Sequence, residues 1–137
     1  MEQNKIIAEF MGWKILQEPL GQQYLDIIRI HTYSPNGKII SSTPIGDSYS
    51  IKKSWEDLIN PDYGRAGRYH KSWDALMSVV EKIEQMDYGF KICRKVVEIY
   101  IDSNKETLFH IKEKSKLESL YTAVIQFIQW YNIQNIK

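Results

Sequence analysis

Ser115 and Glu118 open the stretch that most constrains what this chain can become. Their S-x-x-E spacing is a capping box, in which the Ser hydroxyl and the Glu carboxylate satisfy orphan N–H groups at a helix start. Behind it Leu117, Leu120, Tyr121, Val124, Phe127, Ile128 and Tyr131 recur three and four residues apart. That spacing predicts a helix over residues 115–131 with one apolar face, and the rest of the chain must cover that face. A second helix is expected over 73–86. Ser72 is its cap, Asp74 suits the positive end of its dipole, and Trp73, Leu76, Met77, Val80 and Ile83 share a face. Asp87-Tyr88-Gly89 ends it. Residues 3–11 form a shorter helix on Ile6, Ile7, Phe10 and Met11, stopped by Gly12.

The cover comes from extended segments. Ser34-Pro35-Asn36-Gly37 is a tight turn, because Asn-Gly tolerates the positive φ angles of a hairpin. Residues 24–31, with Leu25, Ile27 and Ile30, lead into it, and 38–43 return. Residues 13–16 begin a further strand. Residues 90–101 read as one long strand and 107–111 as its partner, joined by Asp102-Ser103-Asn104-Lys105. Between the halves, Ser54 caps a turn or two of helix ended by Asn60-Pro61, and Gly64-Arg65-Ala66-Gly67-Arg68 forms a flexible basic loop. The pattern K-S-W-acid-x-L occurs at 53–58 and again at 71–76. Two capped helix starts, each with a Trp anchoring the first turn, explain it. The expected fold is α+β: one domain over 1–137, an antiparallel sheet of β-hairpins with helices packed on one face. Trp73, Leu76, Val80, Val97, Ile99, Leu120, Val124 and Phe127 should share its core.

Three segments carry a resemblance. They are IAEFMGW at 7–13, YHKSWDALMSVVEKIE at 69–84 and TAVIQFIQWYN at 122–132. Together they resemble a family of small proteins of gut-type Bacteroidetes and their phages, to which no activity is assigned. The motifs cover about a third of the chain, and the order of elements covers most of it. Residues 24–67 stand as an elaboration of this member. The resemblance implies a phage or prophage setting.

Net charge is +1, which argues against a surface built wholly for nucleic acid. The single cysteine, Cys93, excludes an internal disulfide and a Cys-rich zinc site; it is expected in a strand, small and buried. The segment MEQNKIIAEFMGW carries charge within its apolar stretch and lacks a signal-peptide core, and no run of residues is apolar enough to span a bilayer. A cytoplasmic protein without membrane contact is expected.

Chemistry concentrates in one place. His31, His70 and His110 lie far apart with no metal-binding spacing, and no nucleophile elbow, Walker loop, dinucleotide fingerprint or zincin motif occurs. No cofactor and no metal are expected. The segment from Gly64 to Trp73 holds Arg65, Arg68 and Lys71 without an acidic residue, alongside Tyr69, His70 and Trp73. It runs into a helix N-terminus, where N–H groups favour anions. Arg forks match phosphate oxygens and the rings offer flat faces to a base. Arg65, Arg68, Tyr69, His70, Lys71 and Trp73 are therefore the candidate ligand-binding residues. The same residues also fit an exposed loop with its arginines in water and Tyr69 and Trp73 turned to the core.

The expected function is non-enzymatic binding of a phosphorylated or nucleotide-like small molecule. In the phage setting it becomes a sponge that sequesters a nucleotide-like immune signal, with a homo-oligomer burying more of the ligand. Two other readings remain: an interaction module that inhibits or adapts a host protein, and a small phosphodiesterase-like hydrolase using His70 and Asp74.

Overall fold

The structure, a computed structural model, describes residues 2–19, 28–45 and 50–135. Helix α1 is Glu2–Met11; strands β1, β2 and β3 are Lys14–Pro19, Ile28–Tyr33 and Ile39–Pro44. Helices α2 and α3 are Ile51–Leu58 and Trp73–Glu84. Strands β4, β5 and β6 are Tyr88–Cys93, Val96–Ile101 and Thr107–Lys112, and helix α4, Lys116–Gln134, completes the order. The fold is α+β, with the hairpins divided between two three-stranded antiparallel sheets, β1-β2-β3 and β4-β5-β6. Positions 24–27 of the expected first strand lie outside the described residues.

Sheet β4-β5-β6 and α4 form the central layers. The register sets Phe90 opposite Ile99 opposite Phe109, and Ile92 opposite Val97 opposite Ile111. These two rows make one apolar face, on which α4 packs. On the far side α4 meets α1 and α3. A helix covered on two sides needs more than one stripe, so Ala123 and Ile125 are buried along with the expected Leu120, Tyr121, Val124, Phe127 and Ile128. Ser115 accepts from the Glu118 N–H at 3.1 Å, as the capping spacing requires. Ser119, also inward, bonds the carbonyl of Lys95 and accepts from the N–H of Glu113 at 2.8 Å, tying the helix to the sheet ends.

Sheet β1-β2-β3 buries Ile15, Ile30 and Thr32 on its inner face, against α2. Its hairpin turn is the expected one: Ser34 and Lys38 pair at 2.8 Å, and Gly37 has φ 84°. All buried apolar residues of the two sheets and four helices fall in one cluster.

Four expectations are corrected. The 90–101 strand is two strands, β4 and β5, reversed at Arg94-Lys95 with Arg94 at φ 55°. Alternation of apolar residues runs almost unbroken through that turn, and it contains neither Gly nor Asn. Ser54 is not a cap: Ser50 accepts from the Lys53 N–H at 3.2 Å and starts α2 one turn earlier, leaving Ser54 inside it. The echo between 53–58 and 71–76 thus joins a helix interior to a helix start. Trp73 is 38% exposed and lies outside the core cluster, although the other seven expected core residues are buried in it. Finally, Cys93 ends β4 beside the two-residue turn and is exposed, not buried. Its thiol should react with a disulfide reagent in the native protein at close to the unfolded rate. A native rate suppressed many-fold would mean that the hairpin tip is covered.

Candidate functional site

The segment from Asn60 to Ser72 is a packed coil, not the expected flexible loop. Gly64 N–H donates to Asn60 C=O (2.9 Å), Ala66 N–H to Leu58 C=O (3.0 Å) and Gly67 N–H to Gly64 C=O (3.2 Å). The bond from Ala66 satisfies a carbonyl that the end of α2 would otherwise leave open. The backbone approaches so closely that a Cβ on Gly64 would sit 2.2 Å from the Leu58 oxygen. Ala66, between the arginines, is buried. Pinned on this side, the coil turns Arg65 and Arg68 outward and Tyr69 inward.

Opposite them stands Trp13. Helix α1 ends in a Schellman motif: Gly12, at φ 103°, donates to Glu9 C=O (3.1 Å) and Trp13 N–H to Ala8 C=O (3.0 Å). The stop directs the chain past Pro35 of the β2–β3 turn, whose Cα lies 3.5 Å from where a Gly12 Cβ would be. Arg65, Arg68, Tyr69 and Trp13 then line one pocket of ≈ 220 Å³, closed by Met11 and Pro35 and, one turn apart on α3, by Ala75 and Ser78. Burial pushes the Tyr69 phenol's pKa up, against the lowering pull of the neighbouring Trp13 indole. Among the described residues neither Arg65 nor Arg68 makes an ion pair.

Three candidates fall elsewhere. His70 points into the protein. Asn4, fully buried in α1, donates from Nδ2 to Gly67 C=O (3.2 Å) and reaches His70 Nδ1 at 3.0 Å, while its Oδ1 accepts from Tyr121 Oη (2.9 Å). The Gly67 carbonyl fixes which end of the amide is nitrogen, so His70 Nδ1 is an acceptor and the neutral ring carries its proton on Nε2. Burial, with the Lys71 ammonium next, holds His70 below the usual imidazole pKa. Burial also pushes Tyr121 up to about 12. His70 is a structural strut between α1, the coil and α4. Lys71 is exposed, and neither it nor Trp73 lines the pocket. At the start of α3 Ser72 Oγ takes the Ala75 N–H at 3.2 Å, and the arginines gather at the helix flank.

Trp13, Met11, Pro35, Ala75 and Ser78 were not legible as site residues, since nothing in the chain links positions so far apart before α1, the hairpin and α3 meet. Of the remaining histidines, His110 pairs with Glu98 at 3.1 Å on the surface, and His31 is buried in β2. Among the described residues no three His, Cys, Asp or Glu side chains gather as a metal site, and no helix is long and apolar enough to cross a membrane. Comparisons of the chain with protein families, with curated proteins and with solved structures return no match.

Proposed function

We propose that this chain is a binding protein for a phosphorylated, nucleotide-like small molecule. One observation carries the reading: two guanidiniums without an ion pair among the described residues share a pocket with an indole and a phenol. Arg65 and Arg68 supply forked donors for phosphate oxygens, and Trp13 supplies an aromatic wall for a base. The three-segment resemblance adds the phage setting, in which such a protein acts as a sponge, holding a nucleotide-like signal of bacterial immunity without turning it over. The pocket falls short of the roughly 300–1,000 Å³ usual for small-ligand sites. A homo-oligomer that extends it with a second subunit fits that size.

Calorimetric titration with cyclic nucleotides and ADP-ribose-type compounds tests this. An exposed Arg contributes little to folding, whereas a charge-assisted hydrogen bond to a bound anion is worth about 1.5–3 kcal/mol. Arg65→Ala and Arg68→Ala should each weaken binding by roughly ten- to a hundred-fold with the melting temperature almost unchanged. The exposure of Trp73 at 38% favours a second reading, an interaction module that engages a host protein through this ring. No heat with any compound, and no change in melting on adding them, would sink the first reading and leave the second.

A further inference from the structure

Arg65 lines a second cleft as well. On the other side of its side chain α2 packs over the inner face of sheet β1-β2-β3, and a space of ≈ 180 Å³ opens there. The inner face of a half-buried sheet is normally apolar. Here β2 and β3 set Thr32 opposite Ser41 and Ile30 opposite Thr43, so three hydroxyls share it. Across from them α2 presents Ser54, which lines the cleft and is buried at 4% exposure. Among the described residues Ser54 Oγ and Thr43 Oγ1 have no hydrogen-bond partner, although a buried hydroxyl is nearly always bonded. Leaving such a group unpaired costs stability, and replacing it by an apolar atom would remove that cost. The lining is completed by Asp57, whose Oδ1 holds Lys53 at 3.2 Å and Tyr63 Oη at 3.0 Å, and by the apolar Ile40 and Leu58.

We infer that this cleft is a sugar subsite, taking the vicinal hydroxyls of the ligand whose phosphate is held by Arg65. The inference rests on the phosphate-binding reading of the Arg65–Arg68 pocket and extends it. Hydroxyls donate and accept at once, so Thr32, Ser41 and Ser54 match a ligand whose groups also do both, as a ribose diol does. The Asp57 carboxylate disfavours a second phosphate in the cleft. Ile40 and Leu58 suit the C–H face of the ring. The cleft is too small for a whole nucleotide, and Arg65, common to both spaces, is where sugar and phosphate meet.

The test uses adenosine 5′-monophosphate and its 2′,3′-dideoxy analogue, titrated into the full-length protein, Ser54→Ala and Arg68→Ala. Removing the two hydroxyls should weaken binding to the wild type at least tenfold. Ser54→Ala should weaken the ribonucleotide about as much yet leave the dideoxy compound unchanged, so that the two losses do not add. The same variant should melt no lower than wild type, because the lost hydroxyl was unpaired; a hydroxyl with a purely structural role, bonded through water, would cost stability instead. Equal binding of both compounds by wild type, or fully additive losses, overturns the sugar subsite while leaving an Arg68-dependent phosphate site in place. Binding insensitive to Arg68→Ala, or no binding at all, overturns the underlying pocket and the subsite with it.

Discussion

Phe127→Ala should destabilise the protein by about 3–5 kcal/mol, the usual cost of emptying a fully buried aromatic site. Phe127 has no exposed surface and stands where three elements meet. Its ring lies 6.5 Å from Phe10 of α1, 4.8 Å from Tyr88 of β4, and 5.9 and 5.8 Å from Trp130 and Tyr131 of its own helix. Three of these contacts are edge-on or tilted and one is stacked, arrangements that favour aromatic pairs beyond simple burial. Phe10 is in turn covered by Lys82, whose ammonium lies 4.6 Å from its centroid and donates to its backbone carbonyl. The cavity cannot close by moving one side chain, because the walls belong to α1, α4 and β4. A domain stabilised by about 5–15 kcal/mol loses a large share of its stability by this change. Urea denaturation at 25 °C should show a lower midpoint with an unchanged slope. Ile133→Ala, on the exposed end of the same helix, should stay within about 0.5 kcal/mol. A loss under about 1 kcal/mol for Phe127→Ala would mean that α4 does not face the sheet as described.

Phe127 was legible in the sequence because a long helix repeats its message at every turn. The face through Leu120, Val124 and Phe127 is over-determined, and the capping serine fixes where it starts. Short elements carry no such redundancy. Ser50 and Ser54 are one turn apart and both precede a plausible helical run, so local pattern alone cannot choose between them. The choice falls to which start lets Leu58 and Ile59 reach the core. The β4–β5 turn was invisible for the opposite reason: Arg94 adopts a left-handed angle usually left to Gly or Asn, and its neighbours keep alternating. Cys93 was misplaced with it, since a residue in mid-strand is buried far more often than one at a hairpin tip.

The candidate site divides along the same line. Arg65, Arg68 and Tyr69 share one pocket, and they stood out in the sequence because charge and aromaticity are properties of residues. His70, next in the chain, does not line that pocket, because its direction depends on Asn4, 66 positions away. Trp13 was missed because only the Schellman turn at Gly12 brings it across. Composition identifies what a segment could bind, and packing decides which of its side chains share a pocket.

Gly67→Ala should cost on the order of 3 kcal/mol, from overpacking and a broken buried hydrogen bond together. A Cβ there would lie 2.0 Å from the Asn60 carbonyl oxygen, 2.6 Å from its carbon and 2.9 Å from the Ile59 oxygen. All three are backbone atoms, so no rotamer change relieves the clash and the coil itself must lift from α2. Lifting it draws the Gly67 carbonyl from Asn4 Nδ2, and Asn4 is fully buried. The strut linking α1, the coil and α4 through Asn4, His70 and Tyr121 then loosens as one unit. Gly37→Ala is the control: its φ of 84° is unfavourable for Ala, but nothing lies within 4 Å of the added carbon. It should cost only the conformational penalty of about 1–2 kcal/mol. Gly67 lies between the two arginines, so the folded fraction of Gly67→Ala should also bind a phosphate ligand more weakly, which Gly37→Ala should not. Urea melts of both variants, with titration below the transition, measure the two effects separately. If Gly67→Ala proved the milder change, the coil would have to be free to move away from α2, and Arg65 and Arg68 would share no fixed pocket.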